Sequence, residues 1–193
     1  GGKWLCDSWK LTKANLKRSC ITYSWGSNRD YTFETDMIKS YDCDVFTFDP
    51  TTTFDDRNTY VPRDKFKYFN WGLGPGVDGS TELKGNPLKT LPGTISELGH
   101  TEVDVQKIDC EMCEVEGVGK LFEDPVLAEQ FMKAKPKMIL METHARSTFI
   151  NYRMYRLIEG LKSLGFYMFY REVNAQCVFC MEYGFVHRDY FLQ

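Results

Sequence analysis

The sequence predicts an α/β fold: a mostly parallel seven-stranded sheet with helices on both faces, ending in a C-terminal antiparallel hairpin. Three observations support this prediction. Short apolar runs rich in β-branched and aromatic residues alternate with segments of helical periodicity, which is typical of βαβ units. A glycine or an acidic residue follows several of these runs. The last two runs are joined only by residues 174–176, and so short a connection makes a hairpin.

The first βαβ unit spans residues 20–50. An apolar run at residues 21–25 breaks at Gly26, and an amphipathic helix is expected over residues 32–38. A second apolar run, residues 44–48, stops at Asp49 and a proline. Because a crossover helix joins parallel strands, this unit predicts a parallel sheet.

Such a sheet binds its ligand beyond the carboxyl ends of the strands. There, a glycine allows close approach of the backbone, and a carboxylate after the second strand accepts hydrogen bonds from ribose hydroxyls. Gly26 and Asp49 match these two roles, at about the ~20-residue spacing of nucleotide-binding units. Only one of the three glycines of a complete dinucleotide fingerprint is present.

The middle of the chain is less regular. Residues 51–64 are polar and charged, so a surface loop is expected. A third strand is predicted over residues 65–71, running into a glycine-rich turn. Residues 77–93 have few apolar side chains and are interpreted as an exposed excursion. Residues 94–98 predict one helical turn capped by its threonine.

A buried strand over residues 103–108 is followed by three carboxylates, Asp109, Glu111 and Glu114. Burying so many acids without partners would be unfavourable. We therefore expect them to face a cleft, a ligand or a cation, with a solvated acidic loop as the alternative.

A crossover helix over residues 121–134 then leads to a strand at residues 137–144, which ends at Glu142 and His144. Residues two apart on a strand share a face. A carboxylate and an imidazole side by side at a carboxyl end predict a general base.

The remaining elements are a third amphipathic helix over residues 151–164 and hairpin strands at residues 166–173 and 177–187. At the other end, residues 1–19 predict an N-terminal arm packed on the sheet. Residues 20–193 are expected to form a single domain.

Composition excludes several classes of function. The 193 residues carry a formal net charge of −3 and no basic run, so nucleic acid is not an expected partner. No apolar stretch reaches the roughly 18 residues that a membrane span needs, so direct membrane contact is not expected either. The chain begins with glycine, and we expect that any signal or anchor segment has been removed. Oligomeric state is open.

Seven cysteines are present. Cys6 and Cys20 flank a polar segment and are one candidate pair for a bridge, and the disulfide pairing stays open. The two C-x-x-C pairs suggest zinc, but Cys177 and Cys180 are expected on one strand with sulfurs on opposite faces, so buried thiols are the favoured interpretation. An odd count leaves one thiol free. Compartment is uncertain, with the secretory pathway (Golgi or secreted) favoured over the cytoplasm.

Layout and motifs together resemble the class I S-adenosylmethionine-dependent methyltransferases, which have a Rossmann-like fold. Within them the chain resembles the FkbM-type and the methyltransferase-like protein 24-type families. The resemblance covers nearly all of the chain from residue 20 onward. Its motifs are Tyr23-Ser24-Trp25-Gly26, Val45-Phe46-Thr47-Phe48-Asp49-Pro50, Asn70-Trp71-Gly72-Leu73-Gly74, Lys107-Ile108-Asp109-Cys110-Glu111 and Met141-Glu142-Thr143-His144.

The resemblance implies S-adenosylmethionine as the cofactor. Trp25 and Gly26 would approach its methionine part, Asp49 its ribose, and Asp109 and Glu111 would form the floor beneath the sulfonium. The other residues that it implies for cofactor binding are Tyr23, Pro50, Asn70 and Gly72. The family usually has glycine where this chain has Met112.

The activated methyl group leaves the enzyme mainly the task of aligning an acceptor. A hydroxyl acceptor also needs a base. His144 oriented by Glu142 is the expected base, with Asp109 as the second candidate. A magnesium or manganese ion on Asp109, Glu142 and His144 is the alternative, but a site without metal is favoured.

The predicted function is therefore O-methylation of a hydroxyl on a small molecule or a sugar or glycan. The acceptor itself is not identified by the sequence. Two alternatives stay open: an NAD(P)-dependent oxidoreductase, which the incomplete glycine fingerprint disfavours, and a non-catalytic Rossmann-like binding or interaction protein, which Met112 keeps in consideration.

Overall fold

The computed structural model describes residues 3–57, 60–75, 79–144 and 148–192. A seven-stranded sheet forms the centre, in the order β3-β2-β1-β7-β8-β10-β9. Its strands are β1 (Ile21–Trp25), β2 (Asp44–Phe48), β3 (Phe66–Phe69), β7 (Val105–Ile108), β8 (Met138–His144), β9 (Phe166–Val173) and β10 (Cys180–His187). A small second sheet has the order β4-β6-β5, from β4 (Gly72–Leu73), β5 (Glu82–Leu83) and β6 (Asn86–Lys89).

Helices cover both faces of the large sheet. They are α1 (Lys13–Leu16), α2 (Thr32–Tyr41), α3 (Leu91–Glu97), α4 (Lys120–Glu123), α5 (Pro125–Lys133), α6 (Thr148–Ser163) and α7 (Arg188–Phe191). A 3₁₀ turn at Ser8–Leu11 precedes α1, and a π-helical turn at Glu114–Val118 precedes α4. None of the described helices is long and apolar enough to cross a membrane.

Two hydrophobic cores lie on opposite faces of the sheet. Tyr23, Trp25 and Phe48 belong to the core beneath α3 to α6, whereas Val45 and Val105 belong to the core beneath the N-terminal arm, α2 and α7. This alternation follows from the two-residue period of a strand. The central strands are therefore apolar on both sides, as expected for a parallel sheet.

The prediction of a mostly parallel seven-stranded sheet is confirmed. Strands β1, β2, β3, β7 and β8 run parallel, whereas β10 is antiparallel to both β8 and β9. The carboxyl ends of β1, β2 and β7 therefore meet at one edge, which is where ligands bind in such sheets.

Three predicted segments differ from the structure. Residues 79–89 of the expected excursion build β5 and β6; residues 76–78 lie outside the described part. Helix α3 begins earlier than expected, since the Thr90 side chain caps it by accepting from Gly93 N at 3.1 Å. The single helix predicted over residues 121–134 is two helices, because Asp124 caps a new helix that starts at Pro125.

The candidate Cys6–Cys20 bridge is wrong. Cys20 is bonded to Cys43 with a Cα–Cα distance of 4.4 Å, and Cys6 is the free cysteine. The reason lies in the pairing of β1 with β2: Ile21 is opposite Asp44, so the residues immediately before them are also neighbours.

The interpretation of the C-x-x-C pairs as buried thiols is also wrong. Cys110 is bonded to Cys113 and Cys177 to Cys180. Strand β10 starts at Cys180 rather than Cys177. Cys177 therefore lies in the preceding turn, which brings its sulfur back to that of Cys180.

Candidate active site

A cleft of about 430 Å³ opens at the carboxyl ends of β1, β2 and β7. Its volume lies within the roughly 300–1,000 Å³ of small-molecule sites. Seven of the predicted site residues line it: Trp25, Gly26, Asp49, Pro50, Gly72, Asp109 and Glu111. Tyr23, Asn70, Glu142 and His144 lie outside this lining.

Gly26 makes the turn that opens the cleft. Its φ of +79° is in the left-handed region that favours glycine, and a Cβ here would lie 1.9 Å from the carbonyl oxygen of Asp109. Gly26 N donates to Phe48 O at 2.8 Å. The turn after β1 is thus pressed against the end of β7, and only glycine fits.

Asp49 is 3% exposed, and its carboxylate holds the loop that follows Gly26. One oxygen accepts from Ser27 N at 3.2 Å and Asn28 N at 3.0 Å; the other accepts from Thr51 N at 2.9 Å and Thr51 Oγ1 at 2.6 Å. Burial alone would raise the pKa of Asp49, but these hydrogen bonds outweigh it and lower the pKa. Its acceptor positions are thus filled by its own chain.

Aromatic side chains form one wall. Trp25 stacks on Phe48 with ring centroids 4.2 Å apart, and Trp25 Nε1 donates to Gln106 Oε1 at 3.1 Å. Tyr23 lies behind this pair, and its hydroxyl is 2.6 Å from His100 Nδ1. Tyr23 therefore supports the wall without reaching the cleft.

The small sheet borders the cleft beside Pro50. A Cβ on Gly72 would lie 2.3 Å from Leu88 and 2.8 Å from Pro50, so glycine allows β6 to pack closely here. Asn70 Nδ2 donates to Thr52 O at 2.6 Å. Asn70 thus fixes the chain after Asp49 rather than facing a ligand.

Lys107 supports the Gly26 turn from below, since its ammonium donates to the Gly26 carbonyl oxygen and lies 3.7 Å from Asp109. Glu34, fully buried on α2, accepts from Ser24 Oγ at 2.5 Å. Burial raises the pKa of Glu34, against the opposing effects of Lys107 and Ser24. These residues form a polar network under the cleft.

The segment after β7 forms the floor. Glu111 and Met112 have φ values of +51° and +86° and stand between the bonded Cys110 and Cys113. Asp109 has its pKa lowered: burial opposes this, but the Lys107 and Lys3 ammonium groups outweigh it. Asp109 is therefore an anion at neutral pH.

Beside the floor, three acids occupy neighbouring positions, one directly after β7 and the others on β8 and β10. Ile108 pairs with Met141, which places Asp109 next to Glu142, and Glu142 pairs directly with Glu182. Glu142 accepts from Asn174 Nδ2 at 2.7 Å. Burial and Asp109 raise the pKa of Glu142. We call these three residues the acid row.

Lys3 of the N-terminal arm reaches this row. Its ammonium lies 2.5 Å from Glu182 Oε2 and 3.2 Å from Asp109 Oδ2, and its side chain is 3% exposed. Burial would lower the pKa of Lys3, but Asp109 and Glu182 outweigh it and raise the pKa. Lys3 also lines the cleft.

His144 is held by a partner other than the predicted one. Glu114, from the π-helical turn, accepts from His144 N at 2.9 Å, and its Oε1 lies 3.2 Å from His144 Nδ1. His144 is 2% exposed. Burial opposes protonation, but Glu114 raises the pKa of His144. The imidazole therefore ties the segment after β7 to β8.

One described group of three side chains has metal-ligand spacing: Glu142, His144 and Cys180 lie with ligand atoms within 4.8 Å of one another. Cys180 is bonded to Cys177, so its sulfur is no thiolate. The set proposed from sequence, with Asp109 in place of Cys180, does not meet that spacing within the described residues.

Sequence reasoning missed Lys3, Lys107 and Glu182 as site residues. Lys107 was within a recognised motif and precedes Asp109 by two positions, so strand periodicity offered a signal. Lys3 and Glu182 are separated by 179 residues, and only the folded topology brings them together.

Comparison with solved structures supports the fold. The methyltransferase domain of METTL16 superposes with a TM-score of 0.55 at 11% identity, over 86% of this chain and 58% of that one. WbdD superposes with a TM-score of 0.53 at 10% identity, over 91% of this chain and 37% of that one. The fibrillarin pre-rRNA processing protein of Methanococcus jannaschii superposes with a TM-score of 0.50 at 12% identity, over 96% of this chain and 70% of that one. The chain thus spans little more than half of the METTL16 domain.

A search of the curated proteins found no match. The model of one protein family, described as a methyltransferase domain, matches residues 1–187. That match includes the N-terminal arm, the Gly26 turn, the acid row and all of β10. With the fold and the cleft in agreement, the chain belongs to this methyltransferase-domain family.

Proposed function

We propose that this methyltransferase uses S-adenosylmethionine as its cofactor, which when bound supplies an electrophilic methyl group. The residues present fit it: the Gly26 turn, packed on the Asp109 backbone, and the aromatic wall of Trp25 and Phe48 both line the cleft. Trp25, Gly26, Asp49, Asp109 and Glu111 would hold it. Asp49 can meet ribose hydroxyls by exchanging its bonds to Ser27 and Thr51 hydroxyls.

We infer that the acceptor group is a hydroxyl on a small molecule or a sugar. The observation that carries this inference is the position of Glu142 beside the Asp109 carboxylate, next to the cleft floor. A hydroxyl needs a base to remove its proton as it attacks. Glu142, with its raised pKa, is a stronger base than an ordinary carboxylate. We therefore propose that Glu142 removes the proton of the acceptor hydroxyl and that His144 has a positioning role.

RNA is the competing acceptor, because the fibrillarin neighbour is described as a pre-rRNA processing protein. The charge of this chain argues against it. The formal net charge is −3, and the acid row beside the cleft would repel a phosphate backbone. A neutral or cationic acceptor suits the row better.

We propose that the protein resides in the secretory pathway. Six of its seven cysteines are paired in disulfides, and such pairing is rare in reducing compartments. Mass spectrometry of peptides from the protein isolated under alkylating conditions from its native cells tests this; free thiols at all seven positions would contradict it.

Calorimetric titration with S-adenosylmethionine and S-adenosylhomocysteine tests cofactor binding. Micromolar binding is expected for the wild type and its loss for Asp49→Ala, because the loop at Ser27 and Asn28 loses its anchor. Asp36→Ala, a change at an exposed position on α2, is the control and should bind normally. A folded wild-type protein that binds neither compound would refute the function.

The base assignment predicts a pH profile. Since the pKa of Glu142 is raised, methyl transfer to a panel of hydroxylated glycans and small molecules should be full above that pKa and fall as the pH drops through it. Glu142→Gln should lower the rate roughly 100-fold or more at neutral pH, with cofactor affinity kept. Glu172→Gln, at an exposed glutamate, is the control. A rate lost in His144→Asn but kept in Glu142→Gln would transfer the role to His144.

A further inference from the structure

The acid row holds a cation that does not come from the sheet. Asp109, directly after β7, and Glu142 and Glu182, on β8 and β10, are neighbours, and like charges directly opposite one another destabilise a sheet. Burial and the neighbouring Asp109 carboxylate raise the pKa of Glu142. The Lys3 ammonium lies between the carboxyl groups of Asp109 and Glu182. The row is therefore built around a positive charge.

Glu182 has a carboxylate oxygen that can still accept a hydrogen bond. It is 3% exposed, and its Oε1 has no hydrogen-bond partner among the described residues. A buried carboxylate oxygen without a partner is unfavourable. Its other oxygen binds only a lysine from the arm, and Trp4, the next residue of that arm, is 61% exposed.

The spacing suits an ammonium group better than a metal ion. A metal needs its ligands within a few ångströms of each other, and Asp109, Glu142 and Glu182 are not among the described groups that meet this spacing. An ammonium has three N–H donors that reach separate acceptors. Lys3 makes two such contacts, at 2.5 Å and 3.2 Å.

We propose that Asp109 and Glu182 form a binding site for a protonated primary amine of the acceptor, which displaces Lys3 on binding. The acceptor class is then a hydroxyl compound that also carries a primary amine, such as an amino sugar or an amino alcohol. A protonated nitrogen has no lone pair, so the amine is anchored and the hydroxyl near Glu142 receives the methyl group. This assignment of the acceptor rests on the proposed function.

The site itself is tested without cofactor, using n-butylamine, which matches the lysine side chain. Lys3→Ala opens the space, whereas Lys3→Met removes the charge but keeps the stem. Thermal unfolding and calorimetry should show saturable n-butylamine binding to Lys3→Ala that is roughly tenfold to a hundredfold weaker in Lys3→Ala/Glu182→Gln, as for the loss of a charge-assisted hydrogen bond. Lys3→Met should not bind.

Two controls sharpen the test. Lys3→Ala/Glu172→Gln alters the exposed glutamate opposite Glu182 on β9 and should bind as Lys3→Ala does. Tetramethylammonium, which has the charge but no N–H donor, should bind more weakly than n-butylamine. Equal n-butylamine affinity with and without Glu182, in folded variants, would overturn the proposal.

The cofactor also carries an amino group, so a separate measurement must show whether the site binds the acceptor or the cofactor. If the site serves the acceptor, Glu182→Gln leaves S-adenosylhomocysteine affinity unchanged. A tenfold loss would assign the site to the cofactor and overturn the acceptor proposal. Because the n-butylamine titration uses no cofactor, a negative result there is distinct from a failure of the wild type to bind S-adenosylmethionine.

Discussion

At the scale of single residues, backbone conformation decides which side chains the cleft tolerates. Gly26 and Gly85 have similar φ values, +79° and +76°, but the backbone of Asp109 crowds only Gly26. A left-handed conformation costs a residue with a side chain about 1–2 kcal/mol. The crowding at Gly26 is an additional and larger effect.

These two glycines give a matched pair of substitutions. Gly85→Ala should lower the free energy of unfolding by about 1 kcal/mol and leave cofactor affinity intact. Gly26→Ala should be at least about 2 kcal/mol more destabilising than that, because backbone must move, and should abolish cofactor binding. Urea unfolding and calorimetry measure both. Equal effects of the two substitutions would contradict the packing of Gly26 on Asp109.

Sequence reasoning identified the residues whose type alone is informative. Gly26 and Asp49 follow strands, and their positions are those of a ligand-binding unit, so both were predicted and both line the cleft. The partner of His144 was not predicted, because Glu114 reaches it from a π-helical turn. No periodicity of the sequence encodes that turn.

At the scale of elements, the strands were predicted best. Strands β1, β2 and β9 begin and end where their apolar runs do. In β1 and β2, β-branched and aromatic residues pack on both faces of the sheet. Helix boundaries were less predictable. The caps at Thr90 and Asp124 each precede a proline by one or two residues, and periodicity alone extended the helix across Asp124.

The loop between β7 and the π-helical turn is an element whose conformation depends on a disulfide. Two residues with side chains, Glu111 and Met112, are left-handed there, which is unfavourable by about 1–3 kcal/mol each. The Cys110–Cys113 bond holds them beside the cleft.

Reduction should therefore weaken cofactor binding by about tenfold, as the loop relaxes. Calorimetry with S-adenosylhomocysteine, with and without dithiothreitol, measures this. Cys110→Ser/Cys113→Ser should bind weakly under both conditions, whereas Cys177→Ser/Cys180→Ser should respond like the wild type. A wild type indifferent to reduction would show that the loop holds its conformation without the bond.

At the scale of the whole molecule, the mostly parallel direction of the strands and the antiparallel hairpin at the end of the chain followed from the sequence: crossovers join parallel strands, and a short connection precedes the last strand. The order β3-β2-β1-β7-β8-β10-β9 was not predicted. Contacts between segments that are distant in the sequence could not be predicted from these rules. Cys20 and Cys43 are adjacent only because β1 and β2 pair, and the arm meets the acid row only after the sheet has formed.

The Cys20–Cys43 bond closes a loop with a sequence separation of 23. Its loss should lower the free energy of unfolding by about 3 kcal/mol, mainly by freeing the unfolded chain. Urea unfolding of Cys20→Ala/Cys43→Ala measures this effect, with Cys6→Ala as the control that should unfold like the wild type. A destabilised Cys6→Ala protein with a reactive thiol at Cys43 would mean that Cys20 pairs with Cys6 instead.

The burial of Lys3 also makes it a chemical reporter. An amine with a 3% exposed side chain, in contact with two carboxylates, is shielded from acylating reagents, whereas exposed lysines such as Lys133 are not. The ratio of acetylation at these two positions then records how often the arm leaves the acid row. A compound that takes the place of Lys3 would be detected by the modification it permits, before any methylated product is known.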